Sequence, residues 1–132
     1  LQQKINNHFG FDTIEEIVDS LQNAANQGDE WAKNIVKVIS SKSPTSLKVT
    51  LRQLIEGKKK SMKECFMMEL EISINFMKCH DFFEGVRAML VDKDKKPNWK
   101  PATLEELKEE DIARFFTYFE ECEKNPLDDF EI

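Results

Sequence analysis

Apolar residues recur at intervals of three and four along most of this chain, and no stretch alternates strongly, so the pattern predicts helices throughout. The first begins after a Phe9-Gly10-Phe11 entry loop. There Thr13-Ile14-Glu15-Glu16 can form a capping box, and Ile14, Ile17, Val18 and Leu21 make one stripe. It should fade in the polar stretch Asn23–Asp29, which contains Gly28. A second helix covers Glu30 to about Ser41, burying Trp31, Ile35, Val38 and Ile39. Ser43-Pro44 opens a third, with serine at the N-cap and proline at the first helical position, where its missing N–H costs nothing. Leu47, Leu51, Leu54 and Ile55 should form its inner face, and Gly57 a left-handed stop.

Ser61-Met62-Lys63-Glu64 is a second capping box and starts the longest helix, to about Cys79. Its apolar residues, from Cys65 and Phe66 to Phe76 and Met77, cover more than one face, as expected of a helix lying inside something or against a partner. Asp81-Phe82-Phe83-Glu84 reads as a third box, for a short helix to about Leu90. Thr103-Leu104-Glu105-Glu106 reads as a fourth, after a loop over Val91–Ala102. The last helix should run from about Glu110 to Glu123, with Ile112, Phe115, Phe116 and Phe119 inward. Asn125-Pro126 ends it, and residues 124–132 form a frayed acidic tail. The expected fold is all-α, five to six helices in an irregular bundle forming one domain over residues 1–132.

A net charge of −6 argues against a general nucleic-acid binder, whose affinity rests on neutralising phosphates. No stretch approaches the roughly 18 consecutive apolar residues of a membrane span, so no membrane partner is expected. Three widely spaced cysteines (Cys65, Cys79, Cys122) contain no CxxC pair and read as reduced thiols of the cytosol or mitochondrial matrix. The chain opens on Leu1 rather than methionine, so residues are expected upstream of it.

Cys79-His80-Asp81 contains the groups of a nucleophile, base and acid, but adjacent residues do not face one another. Cys79 is read as ending a helix, Asp81 as capping the next, and His80 as sitting favourably near a helix C-terminus. His8 lies in a polar stretch with no partner pattern. Glu15/Glu16, Glu105/Glu106 and Glu109/Glu110 sit where first helical turns favour negative charge. No catalytic or metal site can be built from these residues. The cluster of Arg87, Lys93, Lys95, Lys96 and Lys100 is suited to a phosphorylated ligand, or is a wet surface neutralised by Asp92 and Asp94; the residues alone leave both readings open.

The run from His80 to Pro101, holding Asp81-Phe82-Phe83-Glu84-Gly85-Val86-Arg87-Ala88 and then Asp92-Lys93-Asp94 and Pro97-Asn98-Trp99-Lys100-Pro101, resembles a signature of the crotonase superfamily. The fuller form, with Phe9–Val18 and Ser43-Pro44-Thr45-Ser46-Leu47-Lys48 upstream, is similar to its 3-hydroxyisobutyryl-CoA hydrolase branch. The resemblance implies the helical C-terminal region of a mitochondrial matrix thioesterase of valine breakdown. The catalytic carboxylates and thioester-polarising amides would lie in an N-terminal core of the same chain, so no catalytic residue is carried over. Acyl-CoA would be the ligand, with no separate cofactor. Met89 or Leu90 matches the family's apolar contact to coenzyme A and Lys93 its lysine, with Arg87 beside them. The segment is one residue longer between Ala88 and Lys93 than in hydratases. Without its core, the chain should expose the apolar surface of Met62–Met77 or Phe115–Phe119, or hide it by self-association. The alternatives are a non-enzymatic interaction or assembly module derived from a crotonase, the corresponding part of an enoyl-CoA hydratase or isomerase, and a free-standing helical acyl-CoA-binding protein.

Overall fold

The structure is a computed structural model that describes residues 1–117 and Leu127. Among these residues there are seven α-helices and no strands: α1 (Gln2–His8), α2 (Ile14–Asn26), α3 (Glu30–Ile39), α4 (Pro44–Gly57), α5 (Met62–Phe76), α6 (His80–Val86) and α7 (Glu109–Ala113). The all-α expectation holds; the helix that the sequence pattern did not predict is α1. Lys4 ties it back onto α3 by pairing with Asp29 at 2.5 Å and lying over the Trp31 ring. His8, expected to lack a partner, meets Ser20 Oγ through Nδ1 at 2.8 Å and packs beside Trp31.

The caps explain where most helices start. Thr13 Oγ1 accepts the Glu16 N–H at 3.2 Å and donates its own proton to Glu16 Oε2. Gly28 turns the chain out of α2 at φ +94°, a conformation that favours glycine. Asp29 then caps α3, accepting from the Trp31 and Ala32 amides. Ser43 Oγ accepts the Ser46 N–H at the head of α4. Ser61 and Glu64 form the full reciprocal box expected for α5.

Two apolar clusters result, and α4 lies between them. Ile14, Ile17, Leu21 and Ala32 form one, onto which Leu47 and Leu51 pack. Val49, on the opposite face of α4, joins Met68, Ile72, Leu107, Ile112 and Phe115 in the other. Four expectations change here. Leu54 is 62% exposed because the leucine stripe runs on past the α2–α3 pair, and Val38 is 53% exposed on the outer side of α3. Gly57 is the last helical residue of α4 and not a left-handed stop, since Gly28 alone among the described glycines has a positive φ. Phe115 is not surplus surface: it is 2% exposed and packs on Phe76 at 4.7 Å between ring centroids.

Residues 103–106 form turns, not a helix, so the fourth box caps nothing; the Thr103 hydroxyl reaches Glu106 Oε1 only at 3.4 Å. α7 starts instead where the Lys108 N–H meets Asp111 Oδ2. It tightens into a 3-10 turn at Arg114–Phe116, and Thr117 is extended. At this end Asn75 Nδ2 on α5 donates to the carbonyls of Phe115 and Thr117. Phe119, Cys122 and the tail, apart from Leu127, lie outside the described residues.

The core is thin. Eleven apolar residues are buried among the described ones, against fourteen large hydrophobics that are exposed. Met62 and Phe66 on α5 are among the exposed, as its two-sided pattern predicted.

Candidate functional site

Residues 79–100 double back on themselves around two carboxylates. Asp81 was expected to cap α6. It lies one residue inside the helix, its side chain 1% exposed, and caps nothing; Cys79 holds the N-cap position without a side-chain bond. Asp81 Oδ2 accepts the Ser43 hydroxyl at 2.5 Å. Its Oδ1 accepts the Lys100 N–H at 2.8 Å and meets His80 Nδ1 at 3.0 Å. One carboxylate therefore joins the head of α4, the head of α6 and the far end of the lysine loop. His80 accordingly stands in the first turn of α6 and not at a helix C-terminus. The aspartate stands between the histidine and the serine, so His80 is not placed as a base against the Ser43 hydroxyl.

Glu84 and Arg87 form the second junction. Arg87 Nε and Nη2 donate to Glu84 Oε2 and Oε1 at 2.9 and 2.8 Å, a two-pronged pair. Arg87 Nη1 reaches outward to Asp92 at 2.6 Å and Asp94 at 2.8 Å, and Nη2 also donates to Lys96 O. Glu84 Oε1 further accepts the Asn98 N–H at 2.7 Å. The fork and the Asn98 amide hold the Glu84 carboxyl down to about 2. Arg87 first, then the Lys96 amide, lowers Asp94, and these carboxylates push the guanidinium well above its usual value.

Between these junctions the helix does not continue to Leu90 as expected. Residues Arg87–Val91 open into a π-turn closed by the Asp92 N–H on Arg87 O at 2.8 Å. A π-turn carries one residue more per hydrogen-bonded ring than an α-turn. The chain then passes through Lys93 and Lys95 at φ +56° and +57°, and the Lys95 N–H returns to Ala88 O. Trp99 closes the loop: its indole N–H donates to Ser41 O at 3.1 Å, and its ring covers Gly85, where an added Cβ would sit 3.4 Å from it.

The sequence-predicted residues fall into two groups. Arg87 is half-buried, its donors taken by Glu84, Asp92, Asp94 and the Lys96 carbonyl. Met89, Leu90 and Lys93 face solvent, with Leu90 68% exposed, and Val91, Phe82 and Phe83 are exposed as well. Asp92 and Asp94 pair with Arg87 rather than with lysines, so Lys93, Lys95, Lys96 and Lys100 have no carboxylate partner among the described residues. Glu84, Asp94, Trp99 and Ser43 were not singled out as site residues from sequence. The available signals were the Glu84–Arg87 spacing of three and the two aspartates bracketing Lys93.

A cleft of about 560 Å³ lies elsewhere, lined by residues of α2, α4 and α7. Its two cations are already paired, Lys48 with Glu15 at 2.6 Å and Arg52 with Glu56 and Glu109, and Asp12 adds a fourth carboxylate to the lining, so it offers no free cation to an anionic ligand. Among the described residues no group of three His, Cys, Asp or Glu side chains is placed to hold a metal, and no helix is long and apolar enough to cross a membrane.

Residues 1–116 match the enoyl-CoA hydratase/isomerase family. The mitochondrial 3-hydroxyisobutyryl-CoA hydrolase of Bos taurus is 51% identical over 113 residues, which cover 86% of this chain and 28% of that protein. The small ribosomal subunit protein mS47 of Arabidopsis thaliana is 42% identical, over 86% of this chain and 29% of that one. A crystal structure of a carnitinyl-CoA dehydratase from Mycobacterium thermoresistibile has the same fold over 90% of this chain and 33% of its own, with a TM-score of 0.80 and 30% identity. The chain spans less than a third of the length of the curated relatives named here. The chain belongs to the enoyl-CoA hydratase/isomerase family.

Proposed function

We propose that the chain is the C-terminal helical region of a 3-hydroxyisobutyryl-CoA hydrolase, a thioesterase of valine breakdown in the mitochondrial matrix, and that it is not catalytic alone. Its work is to pack on the catalytic core of the same polypeptide and to complete the coenzyme A site. The observation that carries this reading is a surface patch: exposed Met89 and Leu90 run directly into lysines whose neighbouring aspartates are occupied by Arg87. Apolar surface beside cations that have no carboxylate partner among the described residues suits a ligand with an aromatic, an aliphatic and a phosphorylated part. Lys93 would pair with the adenosine 3′-phosphate, and Met89 and Leu90 would give apolar contact. Arg87 would shape the loop rather than touch the ligand, since its donors are engaged.

The test is release of free thiol from 3-hydroxyisobutyryl-CoA. A full-length protein carrying this region should turn it over, and residues 1–132 alone should not. Turnover by the 132-residue chain would defeat the reading, as would a full-length protein active only on enoyl-CoA hydration.

A second reading, a non-enzymatic assembly module, has the 42% identity to a ribosomal protein behind it, against 51% to the hydrolase. It calls for a full-length protein that co-sediments with the small ribosomal subunit and releases no thiol.

A further inference from the structure

We infer that Glu84 and Arg87 are positioning residues that hold residues 92–98 in the shape that recognises the 3′-phosphate of coenzyme A. This rests on the reading that the lysine loop meets that ligand. The loop has no regular secondary structure, and two of its lysines, Lys93 and Lys95, adopt a left-handed backbone that lysine seldom takes. Something must impose that shape, and the fork is attached along its length. Arg87 Nη1 holds Asp92 and Asp94, Arg87 Nη2 holds Lys96 O, and Glu84 Oε1 holds the Asn98 N–H. Asp94 Oδ1 also accepts the Lys96 N–H at 2.9 Å.

The same attachments sort the charge. With both aspartates drawn in to Arg87, the positive groups between and after them face outward without a counter-ion in the described chain. Released from the fork, the aspartates would be free to fold onto those lysines and neutralise them. A loop fixed in advance binds an anion more tightly than one that must be ordered on binding.

The experiment compares coenzyme A with dephospho-coenzyme A, which lacks the 3′-phosphate, by calorimetry on the full-length protein. The ratio of the two dissociation constants isolates that phosphate. Glu84→Gln should lower the wild-type preference for coenzyme A by about fivefold, and so should Asp94→Asn, an exposed change that leaves α6 intact. Each substitution removes a negative charge beside the lysines, so electrostatics alone would raise the preference; the inference requires it to fall. Lys93→Ala reads the site itself. A preference lost in Lys93→Ala but unchanged or raised in both clamp variants overturns the inference and leaves the site standing. A wild-type ratio of one overturns both.

Discussion

Ser43 donates its hydroxyl proton to Asp81 Oδ2 at 2.5 Å while accepting the Ser46 N–H with the same oxygen, so one side chain both starts α4 and anchors α6 across 38 residues of sequence. Both residues are 4% exposed. The head of α4, and not a cap of its own, is what holds the beginning of α6.

Ser43→Ala should therefore cost more than a lost cap. An N-cap serine contributes ~1 kcal/mol, and depriving a buried carboxylate of one partner adds ~1–2 kcal/mol, a total of about 2–3 kcal/mol by urea unfolding. Ser61→Ala, at an exposed capping box, should cost ~1 kcal/mol. Equal losses at the two positions would mean that the Asp81 contact carries no weight.

The lysine loop should loosen in acid. The folded-state value of Glu84, about 2, lies below its ordinary 4.5. A carboxylate depressed in this way supports the fold fully above its unfolded value and loses that support as pH falls through the folded one. Trp99 fluorescence, in a Trp31→Phe background, should change between about pH 4.5 and 2. Glu84→Gln should remove the Glu84 component, leaving that of Asp94, which is lowered in the same direction. A profile identical in the two proteins would contradict the assignment.

Phe115→Ala should destabilise by about 3–5 kcal/mol, the range for deleting a buried aromatic ring. Leu54→Ala, on the same chain's exposed stripe, should fall within about 0.5 kcal/mol of wild type. Thermal or urea melts of the two variants check the inner and outer faces assigned here.

The exposed apolar surface should make the isolated 132-residue chain self-associate, visible as concentration-dependent mass in analytical ultracentrifugation. Phe83→Asp and Leu90→Asp, at 60% and 68% exposure, should each shift it towards monomer without lowering stability. A chain that stays monomeric at high concentration would show that these residues do not mediate association.

Much of the framework was readable because its causes are local. Thr13, Ser43-Pro44 and Ser61-Glu64 act within one helical turn, and the stripe of α2 needs only its own spacing. What was misread depends on distant residues. Asp81-Phe82-Phe83-Glu84 has the spacing of a capping box, yet its carboxylates serve Ser43, Lys100, Arg87 and Asn98. Thr103-Leu104-Glu105-Glu106 has that spacing too, with no helix behind it. Leu54 continues a stripe whose cover stops short, and Asn75 on α5 takes up carbonyls where α7 was expected to run on. At the site, Lys93, Met89 and Leu90 came from a family resemblance. The Glu84–Arg87 fork emerged only when the loop was seen folded over it.

Hydrogen exchange of residues 82–91, compared between the isolated chain and the full-length protein, tests most directly whether these helices are built to lie against a larger part of the same polypeptide. Amides around Phe82-Phe83 and Met89–Val91 should exchange at least about tenfold more slowly when that part is attached. Equal rates in the two proteins would contradict it, leaving the exposed face of α6 and the π-turn with no neighbour to cover it.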